Sequence, residues 1–182
     1  VTVSRGLGDV YKRQVESVEE AGVGDRYCLD FLSLFSVGEG LLVGSSADAM
    51  FLVHSETVPS TFVPTRPFRV NAGSPHAYVM MADGNTRYMA ELTAGDELLA
   101  VDQEGNGRSV VLGRLKIEQR PMLKIVGKKH TKTHQNANTC HVFMQQAETV
   151  RLITGDSTAV SVTALEKGLS LIHISEPTRH SD

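Results

Sequence analysis

Residues 91–102 read ELTAGDELLAVD. The turn TAGD, residues 93–96, separates two apolar runs, of which the second covers residues 98–101. Short apolar runs between turns that contain Gly and Asp are typical of β-strands. The next turn, GNG at residues 105–107, closes a hairpin between that run and residues 109–112. The stretch therefore predicts antiparallel β-structure.

A second, shorter copy of this pattern follows near the end of the chain. Residues 164–168 read ALEKG, and both copies follow a Gly-containing turn and a short strand, at 86–89 and 159–163. Repeated short strands joined by such turns are typical of small β-barrels. Other short apolar or alternating runs predict strands at 26–30, 40–43, 50–53, 77–82, 88–92, 115–117 and 122–126. We predict a mainly β fold of short antiparallel strands in barrel-like modules with few helices, within a whole protein of the α+β class.

The two ends of the chain are related to each other through DNA. Residues 4–14 read SRGLGDVYKRQ and residues 169–179 read LSLIHISEPTR. A DNA sequence that encodes the first has a reverse complement that encodes the second, as expected of one adapter joined to both ends of a DNA fragment. We therefore predict that residues 1–14 and 169–182 are translated sequencing adapter, rather than a coincidental amphipathic tail, and exclude them from functional reasoning. Residues 169–174 are nevertheless apolar and β-branched, so we expect them to pair as a strand.

The remaining sequence, residues 15–168, divides into three parts. Residues 15–82 form a β-rich segment with the candidate active-site residues. Residues 83–127 form a small β-barrel module, and residues 128–168 a polar loop and the start of a second module. The sequence begins without Met, so we expect an internal fragment of a longer protein, and a targeting peptide stays open.

Composition argues against several classes of protein. The chain has 18 basic and 21 acidic residues and a net charge of −3, which does not imply a nucleic-acid-binding surface. Cys28 and Cys140 lie far apart, without zinc spacing or a disulfide framework, which fits a reducing compartment. No apolar run reaches the roughly 18–20 residues that span a bilayer. We expect a small-molecule ligand, and neither nucleic acid nor a membrane as partner; the oligomeric state stays open.

The densest group of candidate binding residues is RPFRVNAGSPHAY, residues 66–78. Arg66 and Arg69 lie three residues apart, and the guanidinium fork suits a carboxylate or phosphate. Prolines restrict this backbone before any ligand binds. Asn71 and His76 add further polar groups. We predict an anion site here; the alternative is surface arginines that pair with acidic residues.

Two further stretches offer candidate catalytic or binding groups. FLVHSE, residues 51–56, places His54 and Glu56 on one face of a strand. A carboxylate beside an imidazole would orient it for proton transfer; the alternative is a His that caps the strand end. In GEGLLVGS, residues 38–45, Glu39 lies between two glycines and would face a ligand or solvent. That stretch lacks the GxGxxG pattern and βαβ unit of a dinucleotide site.

Two polar stretches carry weaker signals. Residues 114–121, RLKIEQRP, predict a solvated strand face with cross-strand ion pairs. Residues 130–141, HTKTHQNANTCH, are rich in Thr and Asn, which predicts a loop. Metal binding by His130 and His134 would need a helix, so we expect no metal site.

A set of motifs, in order, resembles the archaeal-type (class II) 3-dehydroquinate synthase family. The motifs are GDRYCLD (24–30), GEGLLVGS (38–45), FLVHSET (51–57), TRPFRVNAG with HAY (65–73, 76–78), TRYMAEL with AGDELLAVD (86–92, 94–102), GRLKIE with RP (113–118, 120–121) and QQAETVRL (145–152). The resemblance covers nearly all of residues 15–168 and corresponds to the C-terminal half of such an enzyme.

The resemblance implies a cytoplasmic, NAD-dependent enzyme of the shikimate pathway, which leads through chorismate to aromatic amino acids. Members oxidatively deaminate 2-amino-3,7-dideoxy-D-threo-hept-6-ulosonate, and the diketo acid cyclises to 3-dehydroquinate with release of ammonia and NADH. Two alternatives stay open: a non-catalytic β-barrel binding module, and a family oxidoreductase for another amino-keto acid.

Side-chain chemistry assigns roles that this substrate requires. The predicted roles are carboxylate binding by Arg66 and Arg69, acid–base catalysis by His54 or His76, orientation of that His by Glu56, and substrate binding by Asn71 and Glu39. The sequence departs from the family pattern at Leu32, where a Cys is usual, at Asp48 or Ala49, where an Arg is usual, and at NAGSPHAY, usually NAGPVHAY. The NAD site is not located by any motif, and we expect it in the N-terminal half.

Overall fold

The computed structural model describes residues 2–3, 10–47, 49–129 and 139–174. Within them the chain forms one 13-stranded antiparallel sheet and two short 3-10 helices. The strands are β1 (Thr2–Val3), β2 (Val10–Phe31), β3 (Glu39–Ser46), β4 (Ala49–His54), β5 (Arg69–Gly73), β6 (Tyr78–Met80), β7 (Thr86–Tyr88), β8 (Glu97–Asp102), β9 (Gly107–Lys129), β10 (Thr139–Gln145), β11 (Arg151–Ile153), β12 (Ala159–Ser161) and β13 (Ser170–Ile174). The helices are η1 (Met89–Glu91) and η2 (Val162–Ala164). None of the helices in these ranges is long and apolar enough to cross a bilayer.

Two long strands form the centre of the sheet. β2 has 22 residues and β9 has 23, and they pair from Arg13 opposite Lys129 to Phe31 opposite Leu112. The strands predicted at 115–117 and 122–126 are both parts of β9, which runs through Pro121. Pro121 lies opposite Val23, beside a register shift in β2, and such irregularities accommodate a residue that has no backbone N–H. The strand continues through the proline for this reason.

The internal repeat predicted from the sequence is confirmed. The path β6–β7–η1–β8 has a counterpart in β11–β12–η2–β13. The amide of Met89 donates to the carbonyl of Ala77 at 2.7 Å, and that of Val162 donates to Val150 at 2.9 Å. β8 pairs with β9 and β3, as β13 pairs with β2 and β4. Residues 170–174 therefore form the strand expected of them.

The predicted mainly β, antiparallel class is confirmed, but two details differ. The sheet is not closed into a barrel, and the runs predicted as separate strands at 109–112, 115–117 and 122–126 are joined in the single long strand β9, which pairs with β2. The strand predicted at 88–92 ends at Tyr88 and gives way to η1.

Apolar side chains fill both faces of the sheet's centre. Every residue of β4 is buried. Alternate residues of β4, such as Phe51 and Val53, join the larger cluster, while Met50 and Leu52 join a smaller one on the opposite face. This packing fixes the strands that carry the polar groups described next.

Candidate functional site

A row of polar side chains crosses β2, β5, β9 and β10. We call this row the polar face; its members are Arg26, Asp30, Arg69, Asn71, Arg114, Glu118 and Gln145. Alternate residues of a strand share a face, and the register places Asp30 opposite both Arg69 and Arg114. The cross-strand ion pairs predicted for residues 114–121 are confirmed on this face, between Arg114 and Asp30 and between Glu118 and Arg26.

Asp30 joins two of the arginines. Arg69 donates from Nε to Asp30 Oδ1 at 2.7 Å and from Nη2 to Oδ2 at 3.1 Å. Arg114 donates from Nε to Oδ2 at 2.8 Å. Burial of Asp30 raises its pKa, but the hydrogen bonds and charges of the two guanidinium groups outweigh this and leave the pKa lowered. The fork of Arg69 is thus engaged by an ionised carboxylate.

Arg66 is in a different position from Arg69. Its backbone pairs with Glu56, with the Arg66 amide donating to the Glu56 carbonyl at 2.9 Å. Its guanidinium has no hydrogen-bond or ion-pair partner within the described ranges. Burial raises the pKa of the Glu56 carboxyl, although Arg69 and Arg66 act to lower it. Of the two arginines predicted to bind a carboxylate, Arg66 is the one with its donors available.

Gln145 links β2 and β5 to β10. Its Oε1 accepts from Arg26 Nη1 at 2.9 Å and from Asn71 Nδ2 at 2.8 Å. Arg26 also donates from Nη2 to Glu118 Oε1 at 2.7 Å. Asn71 is 4% exposed and Arg26 is 7% exposed. The arrangement fixes Asn71 in the middle of the polar face.

His54 is held by backbone groups on both sides of its ring. Its Nε2 accepts from the Gly38 amide at 2.8 Å, and its Nδ1 lies 2.6 Å from the Ser55 carbonyl. Because a carbonyl only accepts, Nδ1 carries the proton. Burial lowers the pKa of this imidazole. The expected contact with Glu56 is not formed, since β4 ends at His54 and the alternation of side chains stops there.

Glu39 is engaged in a partly buried ion pair with Arg108. Arg108 donates to it from Nε at 2.7 Å and from Nη2 at 2.8 Å, and the Ser36 amide donates at 3.0 Å. We expected an exposed carboxylate, but Glu39 is 9% exposed because it begins β3 between β8 and β4. The structure does not bring it to the polar face.

His76 is exposed and lies beside β10. Its ring centroid is 5.3 Å from that of Phe143, whose other neighbour, His141, is at 5.5 Å. Since Phe143 precedes Gln145 by two residues on β10, these rings continue the row of the polar face. Of the two predicted acid–base histidines, His76 has its imidazole accessible.

Within the described residues, neither the glycine-containing stretch at 38–45 nor any cluster of side chains fits NAD or a metal ion. Residues 38–45 run into β3 and turn into β4, without a helix that would hold a pyrophosphate, so they do not fit NAD. Among the described residues no group of three or more His, Cys, Asp or Glu is placed to hold a metal ion. Asp48, His130 and His134 lie outside the described residues.

Sequence reasoning missed Arg26, Asp30 and Gln145 as site residues. The first two belong to GDRYCLD, where charged residues alternate with buried Tyr27 and Leu29. That period of two was a usable signal, because a charge on a buried strand needs a partner. Gln145 follows a polar segment, and nothing in its local sequence indicates its role.

The fold and site define a β-sheet protein with a partly neutralised arginine cluster on one face. The family model described as 3-dehydroquinate synthase II C-terminal domain matches residues 12–182. The chain belongs to this family.

Curated relatives agree with this assignment. The chain is 44% identical over 179 residues to a 3-dehydroquinate synthase of Methanosphaera stadtmanae, which covers 98% of this chain and 48% of the relative. It is 45% identical over 167 residues to one of Methanocaldococcus jannaschii, covering 91% and 45%. A 3-dehydroquinate synthase homolog of Persephonella marina is 43% identical over 173 residues, covering 94% and 50%. The chain thus spans about half the length of the curated relatives it matches. No solved structure matches it significantly.

Proposed function

We propose that the chain is the C-terminal half of a cytoplasmic, NAD-dependent 3-dehydroquinate synthase. The substrate would be 2-amino-3,7-dideoxy-D-threo-hept-6-ulosonate, which is oxidatively deaminated and cyclised to 3-dehydroquinate. The family assignment and the names of the relatives support the enzyme class. The specific reaction is the one that the family resemblance implies, and the polar groups of the site are consistent with it.

The observation that carries the proposal is the guanidinium of Arg66, which has no hydrogen-bond or ion-pair partner among the described residues and lies beside a cluster whose other arginines are held in place. Asp30 forms ion pairs with Arg69 and Arg114. The carboxyl of Glu56 acts on Arg66 through its charge, while the guanidinium N–H groups of Arg66 stay available to a substrate carboxylate. A fixed fork with free N–H groups binds a carboxylate through charge-assisted hydrogen bonds. Arg69 would then act by holding β5 in place.

The described residues supply no dinucleotide-binding loop, so we assign the NAD site to the N-terminal half of the full-length protein. The chain's own groups would bind the substrate and transfer protons. Between the predicted histidines, the accessible ring of His76 favours it over His54, whose two nitrogens are both engaged. His76 would serve the proton transfers that ring closure needs.

The test uses the full-length protein and measures NADH formation from the amino-heptulosonate. Loss of a hydrogen bond to a charged group costs about 1.5–3 kcal/mol, so Arg66→Ala should raise KM by roughly 10- to 150-fold. Arg87→Ala is the matched control, because Arg87 is a half-exposed arginine paired with Asp96 on a different part of the sheet. An unchanged KM in Arg66→Ala would reject Arg66 as the carboxylate-binding residue. If the wild-type protein forms no NADH from this substrate, the proposed reaction is rejected.

A further inference from the structure

We propose that Asn71 and Glu56 form a subsite for the substrate's amino group and that Glu56 accepts a proton from it. This inference rests on the proposed function and adds to it the residues that recognise the amine. It also gives Glu56 a role different from the orientation of His54 that the sequence predicts.

The first argument is that three buried polar atoms of the polar face and of the neighbouring Glu56 have no hydrogen-bond partner among the described residues. They are Asn71 Oδ1, Glu56 Oε2 and Arg26 Nε. Buried polar groups in proteins are nearly always hydrogen-bonded, and each one left unpaired costs about 1–3 kcal/mol. A ligand that supplies the complementary groups would remove this cost.

The neighbours of Asn71 determine the orientation of its side-chain amide. Arg26 has only donors, so Gln145 must present its oxygen to it. Asn71 must then present its NH2 group to that same oxygen. The Oδ1 of Asn71 therefore points away from Gln145, and reversing the amide would place two oxygens against each other.

The backbone of Glu56 is hydrogen-bonded to the backbones of Arg66 and Arg69. Its amide donates to the Arg69 carbonyl at 2.8 Å, and its carbonyl accepts from the Arg66 amide at 2.9 Å. The charged groups that act on its carboxyl are Arg69, Arg66, Arg26 and Asp30. Burial outweighs the arginines and raises the pKa of Glu56, which makes it a better proton acceptor than an exposed carboxylate.

The chemistry of these atoms selects a ligand class. Two unpaired acceptors, Asn71 Oδ1 and Glu56 Oε2, require N–H or O–H donors, and one unpaired donor, Arg26 Nε, requires an oxygen. An ammonium group beside a carbonyl or hydroxyl oxygen provides both. With a carboxylate on Arg66, the set matches an amino acid that carries further oxygens. The three atoms are closed off from solvent, so a ligand reaches them only when the covering side chains move.

The proton transfer balances without a further reactant. One N–H bond of the ammonium breaks and one O–H bond forms on Glu56, which gives a neutral amine and a neutral carboxyl. A neutral amine has the lone pair that must be available before its carbon is oxidised. Arg66 and Arg69 limit how far the carboxylate is neutralised when the site is empty.

The test compares the amino substrate with its analogue in which hydroxyl replaces the amine, using calorimetric binding to full-length protein. Wild type should bind the amino compound more tightly. Glu56→Gln and Asn71→Ala should each reduce this preference by about tenfold or more, the energy of one charge-assisted hydrogen bond. The hydroxyl analogue should be weakened less, because its O–H donates only an uncharged hydrogen bond. Glu56→Gln should also remove one limb of the pH profile of kcat/KM. Glu148→Gln, at an exposed carboxylate, should change neither value.

The outcomes separate this inference from the proposed function. If wild type binds both compounds and Glu56→Gln keeps the full preference for the amine, the subsite is rejected while the function stands. Equal weakening of both compounds in a variant with a normal melting temperature would also reject it. If wild type binds neither compound, the proposed function itself fails.

Discussion

Asp30 and Arg69 face each other across β2 and β5 and form a two-point ion pair, with Nε and Nη2 of the arginine 2.7 and 3.1 Å from the two carboxylate oxygens. Asp30 is 5% exposed, so this pair is an internal connection between strands. Arg66, three residues earlier, has no such partner in the described ranges. Two arginines that look equivalent in the sequence thus have separate roles, one in the fold and one available for a ligand.

Arg69→Ala should therefore lower the free energy of unfolding far more than Arg66→Ala. Removing one partner of a buried ion pair costs about 3–5 kcal/mol, and the remaining contact of Asp30 with Arg114 favours the lower end. A side chain without such contacts changes stability by about 0.5 kcal/mol or less. Urea denaturation monitored by circular dichroism measures both. Equal midpoints for the two variants would contradict the separation of roles.

Asp30 should also make stability depend on acid pH. Its pKa is lowered in the folded protein by Arg69 and Arg114, whereas the unfolded value is about 4. The stabilising contribution is therefore fully present above about pH 4 and is lost as the pH falls through the lowered folded pKa. Asp30→Asn should be less stable than wild type at neutral pH, and the difference should shrink in that acid range. A constant difference across the titration would show that the charge of Asp30 does not matter.

The sequence predicted the class of fold and the location of the polar groups better than the contacts between them. The turns at 93–96 and 105–107 and the internal repeat could be predicted, because Gly and Asp mark such turns wherever they occur. The pairing of Asp30 with Arg69 could not be predicted, because it depends on the register between β2 and β5. These strands are separated by 37 residues in the sequence. A shift of one residue would place Arg69 on the other face.

The same reasoning explains the outcome for His54 and Glu56. Their spacing predicts a shared face only while the strand continues, and β4 ends at His54. The amide of Ser55 donates to the Glu39 carbonyl, while the backbone of Glu56 pairs with that of Arg66. Such changes of direction depend on tertiary partners, which periodicity in a single segment does not contain.

His54 should behave as a structural residue. Its protonation would break the acceptor bond from Gly38, and burial lowers its pKa below the ordinary value of about 6.5. The stabilising contribution is present above that value and is lost as the pH falls through the lowered folded pKa. His54→Gln should flatten this dependence, as measured by thermal melts from pH 7 downward. An NMR titration that showed the His54 imidazole charged at neutral pH would refute this account.

The two cysteines should resist modification in the folded protein. Burial raises the pKa of Cys28 to about 11, although Arg26 acts to lower it, and burial also raises the pKa of Cys140. Reaction needs the thiolate and access to it. A thiol reagent at pH 8 should label neither residue in the native protein and both after unfolding in urea. Rapid labelling of the native protein would contradict the buried placement.

Gly73, the last residue of β5, should not tolerate replacement by a residue with a side chain. Its φ is +94°, and a Cβ there would lie 2.2 Å from the Phe143 carbonyl oxygen of β10. Gly73→Ala therefore has to separate β5 from β10 and lengthen the contact between Asn71 and Gln145. Gly84 is the matched control, since its φ is +85° and its surroundings are open. Gly84→Ala should cost about 1 kcal/mol of stability from backbone strain alone, and Gly73→Ala clearly more, together with loss of substrate affinity. Similar unfolding midpoints in the two variants would show that β5 and β10 tolerate separation and that their contact does not position Asn71.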